Sequence, residues 1–369
     1  MTGKGVGNMT YSKRVFGYDA DDLRGTLEAF REHGVTSVVG GASPDAISFF
    51  TGNGIDYYVA QGCFFTDETT DSPENLCVDI EGNVTKWFGS ACPNSPAAVE
   101  KCMHEAERLA GLRGISGIII DGARFASPES EEGENAFFTC FCGNCTAKMA
   151  LLGYSPDEIS TAVAALHAHC KTGHGYDPHA HGRGIEAWGS FRRAVITDHL
   201  KNYVRIIKGA APSLKTGMYI FAPSLSDLVG QSYADLPGVF DFLSPMLYRR
   251  FDAPVGTACL DHELAALLKP AELLTDAEKR PILDLYGGLT GIDFRALPPI
   301  GELEREGCPL TIVEGEIRKA KDMAAGKAAI IPIFMLDDEH RDRCVRVCLE
   351  NGIGTVDFFR YSSRDGFSL

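Results

Sequence analysis

The sequence predicts a (β/α)₈ barrel, in which eight parallel strands alternate with helices around a closed sheet. Eight short runs rich in β-branched and aromatic residues alternate with helical segments along the chain. One run, Gly117–Asp121, contains three consecutive isoleucines, and such a strand is typically buried on both faces. The 369 residues exceed the roughly 250 of a plain barrel. We therefore predict one barrel domain, residues 1–369, with insertions at about 122–190 and 250–312.

The predicted strands are spaced widely enough for a helix to follow each. They comprise residues 14–18, 36–39, 55–59, 117–121, 218–221, 242–248, 330–335 and 356–359. The first helix is predicted from Leu23, Leu27 and Phe30, which share one face, and Gly34 ends it. The pair Ser95-Pro96 begins another helix. Residues 282–286 form a ninth candidate strand, which we assign to the second insertion.

Composition and charge exclude several classes of protein. Hydrophobic residues make up 44% and charged residues 23% of the chain, as in an ordinary globular protein. The net charge of −15 opposes binding to nucleic acid or to an anionic membrane, both of which attract Lys/Arg clusters. No run approaches the about 20 apolar residues of a membrane span, and residues 1–5 lack the apolar core of a secretory signal. We expect a cytoplasmic protein.

Three of the twelve cysteines lie within six residues, in the order C-x-C-x₂-C: Cys140, Cys142 and Cys145. Thiolates at this spacing can supply three ligands of a tetrahedral zinc site. Cys92, in the loop after the third strand, is the predicted fourth ligand. The alternative is a set of buried free thiols. The other eight cysteines are predicted to be core residues.

These cysteines belong to a longer series of motifs in the same order along the chain. The series is Pro73-Glu74-Asn75-Leu76, Asp79, Gly82, Phe88-Gly89, Cys92-Pro93-Asn94-Ser95-Pro96 and the C-x-C-x₂-C cluster, with residues 358–366 at the end. It resembles the zinc-containing β-galactosidases of glycoside hydrolase family 42. The resemblance implies a structural zinc ion at Cys92, Cys140, Cys142 and Cys145, and an activity on carbohydrates. That family ends its fourth strand with an Asn-Glu pair whose Glu is the general acid/base. Here the strand ends in Asp121-Gly122-Ala123-Arg124, which favours a glycoside-hydrolase-like barrel of unassigned substrate.

Glycoside cleavage normally uses two carboxyl groups that flank the scissile bond, and in a barrel they lie at the carboxyl ends of strands. Asp121 ends the fourth strand and is the first candidate, and Asp337, after the seventh strand, is its predicted partner. Each has a structural alternative, since Asp121 can cap the next segment or pair with Arg124, and Asp337 can begin a helix. Asp284 and Glu316 are reserves, and Glu316 is predicted to lie on a solvated helix face.

Substrate-binding candidates are residues near the strand ends that can contact sugars. Arg124 can orient a carboxylate or a hydroxyl, and aromatic rings can stack on sugars while their polar atoms bind hydroxyls. The aromatic candidates are Trp87, Tyr219, Tyr248 and Tyr361. Each can equally be a packing residue.

Five histidines lie between positions 167 and 181, a density that can bind a transition metal. His167 and His169 are two residues apart on a predicted helix that begins at Ser155-Pro156, so they do not share a face. The other three are assigned to a Gly/Pro loop. We therefore expect a loop near the pocket rather than a catalytic metal centre.

The sequence thus favours a glycoside hydrolase that uses paired carboxylates at the barrel mouth, with a structural Zn²⁺ ion and a carbohydrate as its partner. Two alternatives stay open, a catalytically inactive carbohydrate-binding barrel and a metal-dependent hydrolase using the histidine segment. No dinucleotide-binding or P-loop motif is present. The chain is also expected to be able to form a homo-oligomer.

Overall fold

Eight parallel strands form a closed barrel in the computed structural model, which describes residues 11–129, 135–250 and 258–362. The strands are β1 (Ser12–Phe16), β2 (Val35–Gly40), β3 (Asp56–Gly62), β4 (Gly117–Asp121), β5 (Lys215–Phe221), β6 (Phe242–Met246), β7 (Ala329–Ile330 and Ile333–Met335) and β8 (Thr355–Phe359). Each pairs in parallel with its neighbour in sequence, and β8 pairs with β1 to close the sheet. The predicted (β/α)₈ fold is confirmed.

Twelve helices are assigned within the described residues. They are α1 (Leu23–Glu32), α2 (Pro44–Gly52), α3 (Pro96–Ala110), α4 (Gly143–Leu151), α5 (Pro156–Thr172), α6 (Pro178–Ala210), α7 (Pro223–Ser226), α8 (Leu260–Glu272), α9 (Asp276–Thr290), α10 (Ile300–Glu306), α11 (Leu310–Ala324) and α12 (Arg341–Glu350). Ser95 caps α3 through its side chain, which accepts a hydrogen bond from the Ala98 amide. None of these helices is long and apolar enough to cross a membrane.

The barrel interior contains a buried ion pair between neighbouring strands. Arg14 of β1 donates from Nε and Nη2 to the carboxylate of Asp357 of β8, and its Nη2 also donates to Ser244 of β6. The guanidinium lies over the ring of Phe242, 4.5 Å from the ring centre. A buried charge needs such a partner, so this cluster joins three strands inside the barrel.

Both predicted insertions contain helices, and no strand is assigned in their described residues. The first segment contains α4, α5 and the beginning of α6, and the second contains α8, α9 and α10. The prediction of a ninth candidate strand at residues 282–286 is wrong, because these residues lie within α9. That helix begins upstream in a capping box, in which Thr275 accepts from the Glu278 amide and Glu278 accepts from the Thr275 amide. Residues 130–134, 251–257 and 363–366, on which parts of the predictions fall, lie outside the described residues.

Candidate active site and thiol cluster

Asp121 ends β4 at the carboxyl edge of the barrel. Ile118, Ile119 and Ile120 before it are fully buried, which fixes the strand in the sheet. Its Oδ1 accepts a hydrogen bond of 2.8 Å from the amide of Gly122. Gly122 has a φ of +67°, a left-handed conformation that favours glycine. Burial raises the pKa of Asp121 and the charge of Arg124 opposes that rise.

Arg124 lies buried beside Asp121 and stacks on aromatic rings. Its guanidinium carbon is 4.1 Å from the ring centre of Trp87 and 4.7 Å from that of Phe221. Burial lowers its pKa to about 10, while the charges of Glu263 and Asp121 act in the opposite direction. Trp87 is itself fully buried, so the stacked pair is enclosed by the protein. The structure therefore brings together three of the sequence candidates, Asp121, Arg124 and Trp87.

Glu263 is a site residue that the sequence analysis did not identify. It is 1% exposed in α8, and its Oε2 accepts a 3.0 Å hydrogen bond from the amide of Glu129. Burial raises its pKa to about 7, against the opposing charge of Arg124. The signal was present in the sequence, because Glu263 lies on the helix face that also carries Leu260, Leu264 and Leu267. A carboxyl on an apolar helix face needs a partner, and here that partner is the segment after β4.

Two buried tyrosines extend the same region. Tyr219 of β5 and Tyr248, just after β6, are both almost fully buried. Burial raises the pKa of each hydroxyl well above its usual value, and the charge of Asp121 adds to the rise in both. The hydroxyl of Tyr219 has no hydrogen-bond partner among the described residues. A buried hydroxyl without a partner is unusual in proteins.

The remaining sequence candidates are Asp337, which follows β7, and Tyr361, which follows β8. Asp337 follows β7 by two residues and is exposed, while its neighbour Asp338 is paired with Arg249 at 3.2 Å. Tyr361 packs its ring edge-on against Phe30 of α1, with 5.4 Å between ring centres. Its position places the ring in the layer between helix and sheet.

The two reserve carboxylates have structural partners. Asp284 is exposed on α9 and pairs with Arg295. The expectation that Glu316 lies on a solvated face is wrong, since it is 4% exposed. It accepts hydrogen bonds from the amide and hydroxyl of Ser224, at 2.7 and 2.5 Å. Glu316 therefore anchors α7 to α11.

Four thiols converge at the predicted metal site. Cys92 Sγ lies 3.6 Å from Cys142 Sγ, 3.4 Å from Cys145 Sγ and 3.7 Å from Cys140 Sγ. All four residues are buried, and their sulfur atoms lie within 4.8 Å of one another. The cluster joins the loop before α3 to the segment that leads into α4. This buried set of four cysteines can hold a metal ion.

Hydrogen-bond donors surround the sulfur atoms of this cluster. The amide of Val78 donates to Cys140, and the backbone and side-chain amides of Asn94 donate to Cys92 and Cys145, at 3.2–3.4 Å. Donors of this kind stabilise thiolates, the form that binds metal. A further thiol, Cys77, is buried at the cluster's edge, where its pKa is raised by hydrogen bonding to Cys140 and Cys92.

Arg192 of α6 lies next to the thiol cluster. Burial lowers its pKa to about 9, and Cys77, Cys140 and Cys145 oppose that change. Its Nη2 donates to the carbonyl oxygens of Phe137 and Thr139, both at 2.5 Å. Arg192 thus supplies a buried positive charge beside four thiols and fixes the segment that carries Cys140.

The histidines between 167 and 181 bind separate protein groups. His167 Nε2 lies 2.7 Å from Asn135 Oδ1, and His169 Nε2 lies 2.6 Å from the carbonyl oxygen of Glu278. His179 and His181 belong to the first turn of α6, so their assignment to a loop is wrong. Within the described residues, two groups of side chains could hold a metal ion, and neither includes these histidines.

No protein-family model and no curated protein matches the chain. Several solved structures have a similar fold. A β-galactosidase from the Antarctic haloarchaeon Halorubrum lacusprofundi is 15% identical, with a TM-score of 0.50, over 96% of this chain and 53% of its own. A β-galactosidase from the psychrophilic Marinomonas ef1 is 11% identical, with a TM-score of 0.49, over 96% and 54%. A GH42 β-galactosidase from G. stearothermophilus is 13% identical, with a TM-score of 0.47, over 94% and 58%.

These structures include the family that the sequence motifs resemble. The chain spans little more than half the length of each of them. At such low identity the likeness shows the fold, a (β/α)₈ barrel, which hosts many chemistries.

Proposed function

We propose that this protein is a glycoside hydrolase whose general acid is Asp121. The observation that carries the proposal is the partly buried carboxyl of Asp121 at the end of β4, with a raised pKa and two tyrosine side chains nearby. A general acid must keep its proton near the working pH and deliver it to the leaving oxygen of the glycosidic bond. Burial of Asp121 favours the protonated form that this role requires.

Asp337 is the proposed second carboxylate. It follows β7 at the same edge of the barrel, because the carboxyl ends of parallel strands all lie on one side. Its exposed side chain differs in environment from the carboxyl of Asp121. Two carboxyl groups in different environments can divide the roles of acid and of nucleophile or base.

Arg124 and Glu263 are proposed to position Asp121. The guanidinium interacts with the charges of both acidic residues, and the rings of Trp87 and Phe221 restrict its movement. A guanidinium restricted in this way would hold the carboxyl of Asp121 in one orientation, and catalysis requires such fixed geometry. Tyr219 and Tyr248 are proposed to contact sugar hydroxyls.

Zinc is the metal that we propose for the four-cysteine cluster. Four thiolates would complete a tetrahedral shell and leave no position for substrate, so this ion would take no part in the reaction. The N–H donors around the sulfur atoms and the charge of Arg192 fit a site with a net negative charge. Its role would be to hold the segment before α4 against the loop before α3.

The direct test is hydrolysis of a panel of nitrophenyl glycosides and disaccharides by the wild type and two variants. Asp121→Asn removes the acid and keeps the shape, so activity on the disaccharides should fall by at least about 10²-fold. Asp56→Asn is the matched control, since Asp56 begins β3 at the opposite end of the barrel and bonds to Ser116. That variant should retain the wild-type rate.

The competing hypothesis is that the protein is a carbohydrate-binding barrel without catalytic activity. The observation in its favour is that Asp121 Oδ1 accepts from the amide of Gly122, as a purely structural carboxylate would. Calorimetry that detects sugar binding by a wild type with no hydrolysis on the panel would support it. Equal activity in Asp121→Asn and the wild type would also overturn the assignment of the acid.

A further inference from the structure

Two thiols and an imidazole meet outside the four-cysteine cluster. Cys63 follows β3, Cys102 lies in the middle of α3, and His199 lies in α6. They are 0%, 5% and 5% exposed. Their sulfur atoms and one ring nitrogen lie within 4.8 Å of one another. Three elements that are distant in sequence thus direct metal-binding atoms to one buried point.

Among the described residues, no hydrogen-bond partner meets the geometric criteria for either ring nitrogen of His199. Both of these nitrogens are buried. A neutral imidazole carries one donor and one acceptor, and leaving such groups unpaired costs about 1–3 kcal/mol each. Its ring contacts are with Phe64, 4.4 Å away, and Tyr203, 6.5 Å away, between ring centres. Neither contact satisfies a ring nitrogen, whereas a metal ion would bind one of the two.

The surroundings of Cys102 also favour a thiolate. The amide of Phe64 donates to Cys102 Sγ at 3.2 Å, in the same way that amides donate to sulfur in the four-cysteine cluster. Cys102 and Phe64 also line a cavity of about 710 Å³, together with Glu105 and Arg108. One side of the group therefore borders a cavity that is large enough to admit water.

We propose that Cys63, Cys102 and His199 bind a zinc ion, with water from this cavity as the fourth ligand. Thiolate and imidazole are the ligands that zinc prefers, and a site of two cysteines and one histidine leaves a fourth position open. Two thiolates, a neutral imidazole and Zn²⁺ sum to no net charge. A buried site of zero net charge avoids the desolvation penalty of an unpaired ion.

This zinc site would hold two strand ends together. The amide of Cys63 donates to the carbonyl oxygen of Asp121 at 2.8 Å, which joins the end of β3 to the end of β4. A metal ion bound to Cys63 would fix that amide relative to α3 and α6. The site is separate from the four-cysteine cluster and does not depend on the proposed hydrolase activity.

Metal analysis of the purified full-length protein by plasma mass spectrometry tests this site. With both sites filled, the wild type should contain two zinc ions per chain. Cys102→Ser and His199→Asn should each contain one, and Cys145→Ser, which affects the other cluster, should also contain one. Cys344→Ser is the matched control, a buried thiol of α12 that belongs to neither group, and it should keep two.

X-ray absorption at the zinc edge measures the average number of sulfur ligands per zinc in the wild type. Because it requires no variant, it tests the proposal even if a variant fails to fold. Both sites together give an average of about three sulfur ligands per zinc, whereas the four-cysteine cluster alone gives about four. Four sulfur ligands per zinc, two zinc ions in both Cys102→Ser and His199→Asn, or a disulfide between Cys63 and Cys102 in the intact mass would overturn the proposal.

Discussion

Arg14 and Asp357 form a two-point ion pair inside the barrel, with Nε–Oδ1 and Nη2–Oδ2 distances of 2.5 and 2.6 Å. The two side chains are 2% and 1% exposed. They are register partners on β1 and β8, the strands that close the sheet. The pair therefore lies where the first and last strands of the barrel meet.

Asp357→Asn should destabilise the protein strongly. The change leaves the buried charge of Arg14 without its counter-ion, a loss that typically costs about 3–5 kcal/mol. Urea unfolding followed by circular dichroism measures the difference. Asp71→Asn is the control, because Asp71 pairs with Lys86 at the surface and such a pair contributes about 0–1 kcal/mol. Equal losses in the two variants would show that the interior pair is not structural.

Removal of a thiol from the four-cysteine cluster should remove one zinc ion and destabilise the fold. For Cys140→Ser we expect one zinc fewer per chain than in the wild type. The loss in free energy of unfolding should be about 4 kcal/mol or more, as for other structural metals. Cys348→Ser, a buried thiol of α12, should keep its metal. A wild-type protein without zinc would contradict this prediction.

Glu263 should make stability depend on pH. Its folded pKa of about 7 lies above the ordinary value near 4.5, so the folded state holds the proton more tightly. This contribution is complete below pH 4.5, decreases as pH rises through the window from 4.5 to 7, and is absent above it. The change is about 3 kcal/mol, from 1.36 kcal/mol for each pKa unit.

Glu263→Gln should abolish that part of the pH dependence, since glutamine mimics the protonated acid. Urea unfolding at pH 5, 6, 7 and 8 compares the slopes. Glu272→Gln is the control, an exposed residue of the same helix, and it should retain the wild-type slope. A variant of Glu263 with the wild-type slope would mean that Glu263 is ionised throughout this range.

The strands could be predicted from the sequence because each is a short apolar run, and β4 has the bounds predicted for it. The error at residues 282–286 arose because a run of apolar residues fits a buried strand or a helix equally. The capping box at Thr275 decides for the helix. The capping box, which can be recognised in the sequence, is therefore a better guide here than the apolar run.

Other parts of the site depend on contacts that sequence spacing cannot show. Glu316 reads as an ordinary helix residue, but its partner Ser224 is 92 positions away. The four-cysteine cluster could be predicted because three of its members lie within six residues of one another. The group of Cys63, Cys102 and His199 was hidden because each member comes from a different element and looks like a core residue alone.

Asp337→Asn should lower kcat by about 10²–10⁴-fold on any substrate that the panel identifies, if Asp337 acts as the second carboxylate. Its stability should change by less than about 1 kcal/mol, since the side chain is exposed. Asp342→Asn, an exposed carboxylate in the first turn of α12, is the control for charge and should leave kcat unchanged. A fully active Asp337→Asn variant would show that Asp337 is not the second catalytic carboxylate, and Glu263 would be the next residue to test.

The role of Asp121 as general acid is tested most directly by the leaving-group dependence of Asp121→Asn. A dinitrophenyl leaving group departs without protonation, whereas a sugar leaving group requires a proton from the acid. We expect kcat/KM of Asp121→Asn to fall by at least about 10²-fold on a disaccharide and by much less on the dinitrophenyl glycoside of the same sugar. An equal fall on both substrates, or no fall on either, would contradict it.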